Sequence, residues 1–206
     1  WIDKTFSDVF FFDHSDIDRI SNLTNIPANK MDGVLLGWLE KATVKFDKSG
    51  KITDLKNKCT ELKVKMSVPE DEKDNFWQKI NYNFVNNKRY FESNDPLYHD
   101  ALQMRLLYSV SEVVMGYFEF RNIPWRGEKT AIKYLRDNDP GFLELFMQFS
   151  KSTTLAEKME FYTKMVQQVF TSDYSFWSNS GVYPQPRDKA NTNCDEMIDY
   201  WKKLIN

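Results

Sequence analysis

Three groups of residues in this chain have the type and setting for chemistry. The first is Asp8, a lone carboxylate inside the run Phe6-Ser7-Asp8-Val9-Phe10-Phe11-Phe12-Asp13. A charge in so apolar a run costs desolvation free energy unless it is paired or coordinated. The second is Glu112, set among Val110, Val113 and Val114. Apolar surroundings of that kind raise a carboxyl pKa toward the range of a general base. The third is Trp125-Arg126-Gly127-Glu128-Lys129. Gly127 lets a backbone come close, a helix start presents N–H groups, and Arg126 and Lys129 add positive charge, a set suited to a triphosphate or another anion. Trp125 adds an aromatic face for a base or a sugar. Each group has a plainer alternative: Asp8 paired with a surface lysine, Glu112 as a helix-surface residue, and Trp125 in the core with its neighbours' charges in water.

Other chemistries find no support in the residues. His14 and His99 are the only histidines, and neither has a ligand partner at metal spacing. Cys59 and Cys194 are far apart, and read as two reduced thiols of a cytoplasmic protein. No glycine-rich phosphate loop, serine nucleophile elbow or Cys-His pair occurs. The formal net charge of -2 argues against a strongly electrostatic nucleic-acid binder. No apolar stretch approaches the ~20 residues of a membrane helix, so no membrane partner is expected. Aromatic residues at 16% indicate a substantial core.

The elements that must position these groups change character along the 206 residues. The aromatic and β-branched run Phe6–Asp13 predicts a central strand. Such a strand needs neighbours on both sides, and Trp1-Ile2-Asp3-Lys4-Thr5 offers none. The neighbours are therefore expected before Trp1. Ser15 is the expected N-cap of a short helix whose Asp16 and Asp18 suit its positive end. Ala42–Phe46 alternates like a strand, and Asp47–Lys51 turns tightly on a positive φ at Gly50. A charged helix follows to about Val64, and Val68-Pro69 marks a boundary.

The rest reads as helix. Phe76, Trp77, Ile80, Phe84 and Val85 share one face. From Pro96 to Arg121, the residues Leu97, Ala101, Met104, Leu107, Tyr108, Val110, Val114 and Phe118 predict a wide apolar stripe facing the core. Asn122-Ile123-Pro124 stops that helix. Further helices are expected from Gly127 to Asn138, from Phe142 to Phe149, and from Thr154 to Phe170 with a Thr154–Glu157 capping box. A loop at Tyr183–Arg187 and a last helix from Asp195 to Leu204 complete the reading. Short connections between such helices imply a bundle.

Three segments in this order resemble the nucleotidyltransferase superfamily, in particular the aminoglycoside-type and lincosamide-type enzymes. Phe6–Asp13 with Ser15–Ile20 resembles a late strand and its following helix. Val44-Lys45-Phe46-Asp47-Lys48-Ser49-Gly50-Lys51-Ile52 resembles the next strand and turn. Tyr117–Lys129 is similar to a helix-turn-helix of the helical C-terminal domain. The family's Gly-Ser turn followed by Asp-x-Asp is absent. Ser15-Asp16-Ile17-Asp18 copies its letters, but nothing upstream can form the turn and Arg19-Ile20 continues as helix. The catalytic pair is accordingly expected before Trp1. An Arg followed four to six residues later by His, the ribonuclease motif of related small helical domains, is also lacking.

The resemblance implies an α+β protein: the trailing strands of a nucleotidyltransferase-fold sheet in residues 1–67, then a mainly α-helical bundle in residues 68–206. It implies transfer of a nucleoside monophosphate from a nucleoside triphosphate to a hydroxyl acceptor, small molecule or protein, with Mg²⁺. Asp8 would be a catalytic acid and metal ligand, Glu112 the general base, and Trp125, Arg126 and Lys129 the nucleotide- or substrate-binding groups. The alternative is a helical binding or regulatory module without activity, antitoxin-like or dimerising. A homodimer through the aromatics between Phe142 and Trp177 is a further expectation.

Overall fold

A computed structural model describes residues 10–177 and 202–203. It is mostly helical with one small parallel sheet, and divides into two compact units, Trp1–Val68 and Pro69–Asn206. Asp8 and the last predicted helix, apart from Lys202 and Lys203, lie outside the described residues.

Unit 1 contains α1 (His14–Ser21), β1 (Ile26–Pro27), α2 (Met31–Lys41), α3 (Lys51–Val64) and β2 (Met66–Ser67). The two strands are parallel, with Ile26 opposite Met66 and Pro27 opposite Ser67. Parallel neighbours need a crossover, and α2 and α3 supply it. Ile20, Ile26, Leu36, Leu55, Cys59 and Leu62 form the core of this unit. Gly33 is required where α2 meets β1, since a Cβ there would lie 2.6 Å from the Pro27 carbonyl oxygen. Arg19 grips Asp32 with two hydrogen bonds, Nη1 to Oδ2 at 2.6 Å and Nη2 to Oδ1 at 2.8 Å.

Three sequence expectations differ from the structure in this unit, the first in the part that is described. Phe6–Val9 of the expected strand lie outside the described residues; residues 10–13 belong to no strand among the described residues, and α1 begins directly after them. Phe11 is 92% exposed, and Phe10 stacks on Trp38 with ring centroids 4.6 Å apart. Aromatic content favours a strand only where a partner ladder exists, and here the chain is diverted into a helix cap. Asp13, not Ser15, is that cap: its Oδ1 accepts from the Ser15 amide at 2.7 Å, and Asp16 returns a bond to the Asp13 amide. Residues 42–46 are likewise unpaired, with Phe46 mostly exposed. Asp47 instead ties this segment to α3 by accepting from the Thr53 amide and hydroxyl, both at 2.8 Å. The turn at Gly50 does have the positive φ, 76°.

Unit 2 contains α4 (Glu70–Phe91), α5 (Pro96–Phe120), α6 (Glu128–Asn138), α7 (Pro140–Lys151) and α8 (Leu155–Val169). Acidic Glu70, Asp71 and Glu72 open α4, where they suit the helix dipole. Pro96 opens α5, with Asp95 accepting from the Leu97 amide. The short connection makes α4 and α5 antiparallel, and α8 packs against both. The predicted Thr154–Glu157 capping box starts α8. Arg121, just past α5, donates to the last carbonyls of α8, Val169 at 2.8 Å and Gln168 at 3.0 Å. A cation there satisfies orphan carbonyls and complements the dipole.

The register of α5 differs from the predicted stripe. Its buried positions are Leu102, Leu106, Ser109, Val110, Val113, Gly116 and Tyr117 through Phe120. Leu97, Met104 and Leu107 face solvent at 69%, 72% and 74% exposure. The aromatics expected to form a dimer surface belong largely to the core, where Phe142, Phe149 and Tyr162 are buried.

Candidate functional site

The group of polar side chains in unit 2 best placed for chemistry lies where the middle of α5 crosses α4. Asn83 and Asn87 stand one turn apart on α4 and both are buried. Opposite them, α5 presents Arg105, Ser109 and Glu112 at matching turns. Arg105 Nε donates to the Asn87 side-chain oxygen and Nη2 to that of Asn83, each at 2.8 Å. The Asn87 amide then donates to the Ser109 hydroxyl at 3.0 Å, and the Asn83 amide to Glu112 Oε2 at 2.5 Å. Tyr90 and Tyr108 flank the guanidinium at 5.2 and 5.6 Å from their ring centroids.

From α8, the fully buried Tyr162 brings its hydroxyl beside Asn87 and Ser109 without a well-formed hydrogen bond to either. Burial pushes its phenol well above the usual range. Burial also raises the Glu112 carboxyl, and the bond from Asn83 with the charges of Lys79 and Arg105 opposes that rise. The result is a half-buried carboxylate that holds a proton more readily than a surface glutamate.

The other predicted residues fall elsewhere. Trp125 packs edge-on against the buried Phe118 with centroids 5.4 Å apart, as its plainer alternative has it. Arg126 is half-buried and Lys129 is exposed on the first turn of α6. Gly127 does need its glycine, with φ 81° at the N-cap. Glu112 stands about 12 Å along the axis from the end of α5, so it and Trp125 occupy different parts of the unit. Glu119 is 3% exposed near that end. The expected Mg²⁺ ligands lie outside the described residues, and among the described residues no three His, Cys, Asp or Glu side chains cluster closely enough to hold a metal ion. No helix among them is long and apolar enough to cross a membrane.

Two open cavities follow α4. One of about 390 Å³ lies between α4 and Phe176-Trp177. The other, about 620 Å³, lies between α4 and α8 and is lined by Phe84, Phe91 and Met159 with Lys88 and Lys164 at its rim. Sequence reasoning missed Asn83, Asn87, Arg105 and Tyr162. The available signal was two asparagines four apart on a helix, an unfavourable choice unless both are bonded to a neighbour.

No family model, curated protein or solved structure matches this chain.

Proposed function

We propose that this chain is a helical interaction module that engages a protein partner through the exposed face of α5. One observation carries this reading. Leu97, Met104 and Leu107 are all more than two-thirds exposed on one helix, and from Ala101 to Ser111 the only charged residue is Arg105. Arg105 is committed to Asn83 and Asn87. A solvent-facing helix ordinarily carries charges on that side, and Asp100 is the one acid between Leu97 and Met104 on it; exposed apolar residues grouped in this way mark an interaction site. Methionine oxidation footprinting tests this, with buried Met165 as internal reference. Met104 should oxidise rapidly in dilute purified protein and be protected at least about tenfold in extract of the source cells. Equal oxidation in both would refute the reading.

A second reading is favoured by Glu112. Its half-buried, proton-retaining carboxyl suits a general base that takes a hydroxyl proton, as nucleotidyl transfer to an acceptor requires. In this reading the helical unit lines the acceptor side, a nucleoside triphosphate is the donor, and Mg²⁺ would serve the leaving group. Glu112→Gln should then lower Mg²⁺-dependent pyrophosphate release by a factor of about 10² to 10⁴. A chain that releases no pyrophosphate with any nucleoside triphosphate, or a variant as fast as the parent, would remove it.

A further inference from the structure

After α8 the chain runs beside α4 in a defined direction. Tyr174 meets Glu70 and Asp74, Ser175 meets Trp77, and Trp177 meets Asn81. These four α4 residues step along one face of the helix toward its C-terminal end. Continued, that face reaches Phe84, Lys88 and Glu92, which line both open cavities. The strap of residues 174–177 therefore points along the groove between α4 and α8.

The sequence beyond the strap fits that groove. Cys194, Met197, Ile198, Trp201, Leu204 and Ile205 recur at helical spacing, with Asp195, Asp199, Lys202 and Lys203 on the other side. Lys202 and Lys203 are helical and exposed, as that polar side requires. The apolar stripe from Cys194 to Ile205 is eleven residue steps long, and so is the α8 wall from Ala156 to Gln167, about 16 Å in each case. Residues 178–193 can span up to ~50 Å, so the segment reaches either end of the groove.

Charge selects its direction. Asn83 pairs with Glu112 and Asn87 with Arg105, so α4 and α5 are antiparallel. Arg121 joins the ends of α5 and α8, so α8 runs against α4 as well. The strap arrives at the Phe84–Gln167 end of the groove. Lys164 stands nearer this end, and Glu160, bonded to it at 2.5 Å, stands one turn farther along. A helix laid in the direction of α4, apolar stripe inward, turns Asp195 and Lys202 toward α8. Asp195 then lies within a turn of the level of Lys164, and Lys202 within a turn of Glu160. Laid the other way, the same two residues face α4, Asp195 toward Glu92 and Lys202 toward Lys88, and like charges meet.

We infer that the groove between α4 and α8 is the dock of the chain's own segment 194–205, bound as a helix in the direction of α4. Hydrogen exchange of the full chain at about 5 and about 50 µM tests this. Amides of residues 197–205 should exchange at least about tenfold more slowly than in an unstructured peptide of that sequence, equally at both concentrations. Thr163→Arg, in the middle of the α8 wall, should remove the protection. Ala156→Arg, exposed at the far end, should at least roughly halve it. The amides of α8 should stay as slow as in the parent in both variants. Glu160→Lys should lower the protection about twofold, and adding Lys202→Glu should restore it. Exchange as fast as in the peptide overturns the inference, as does protection that either arginine variant leaves intact. Protection found only at the higher concentration overturns docking within one chain and assigns the segment to a second copy. A Glu160→Lys variant without effect overturns the direction.

Discussion

On α5, Leu102, Leu106, Val110 and Val113 are buried in unit 2, while Leu97, Met104 and Leu107, on the far side of the same helix, stand in solvent. The residue types on the two sides are nearly interchangeable. What differs is the company they keep. The buried side is accompanied by a polar ladder in which Arg105, Ser109 and Glu112 are matched to Asn83 and Asn87. The exposed side has no such ladder and almost no charge. Buried polar groups must find partners at defined positions, whereas apolar contacts tolerate many. The ladder therefore specifies which side of α5 meets α4, and hydropathy alone does not.

The comparison is broken most directly by matched truncations. Leu106→Ala should cost about 2–5 kcal/mol in urea unfolding, as loss of a fully buried side chain does. Leu107→Ala should stay within about 0.5 kcal/mol in dilute protein. Equal losses would mean that the two sides are not distinct in solution.

The ladder comes next in size. Arg105→Met keeps a long apolar stem but strands the side-chain oxygens of Asn83 and Asn87. A loss of about 1–3 kcal/mol is expected. An unchanged urea midpoint would show that the ladder does not fix the pairing.

The smallest effect is that of Glu112→Gln, read as a function of pH. Burial holds the folded-state pKa of Glu112 above its ordinary value of 4.5. The protonated form is thus favoured on folding. Its contribution is fully present below pH 4.5 and is lost as pH rises through the higher folded value. The glutamine variant keeps an acceptor for the Asn83 amide without the charge. It should therefore gain under ~1 kcal/mol at pH 7, a figure reduced by solvent screening, and match the parent near pH 4. A variant less stable than the parent at pH 7 would reverse the sign of this argument.

Local signals were the legible part of the sequence. Thr154 and Glu157 announced α8, Pro96 announced α5, Gly127 marked the start of α6 and Gly50 a positive φ, because each is set by backbone chemistry within a few residues. Partner-dependent features were not legible. The run Phe10-Phe11-Phe12 reads as a strand until one finds no ladder beside it among the described residues and Phe10 lying on Trp38. Ile26-Pro27 and Met66-Ser67 are too short to read as strands without knowing that they pair. Glu112 was visible as a carboxylate among valines, yet Arg105 and Tyr162 join its surroundings only through the crossing of α4, α5 and α8. The α5 stripe was misassigned because that helix is apolar around most of its circumference, so periodicity could not choose a side.

The segment after α8 returns to the beginning of unit 2. The Tyr174 hydroxyl meets Glu70 and Asp74 at 3.1 and 3.2 Å, and the Trp77 indole donates to the Ser175 carbonyl at 2.6 Å. The Trp177 amide donates to Asn81 at 2.9 Å. On the ribosome, the first helix of this unit is made about a hundred residues before the segment that finishes its surroundings, a wait of roughly 5–20 s at ordinary elongation rates. Throughout that interval Trp77 and Phe84 lack neighbours that residues 175–177 later supply, and α4 carries that apolar surface uncovered.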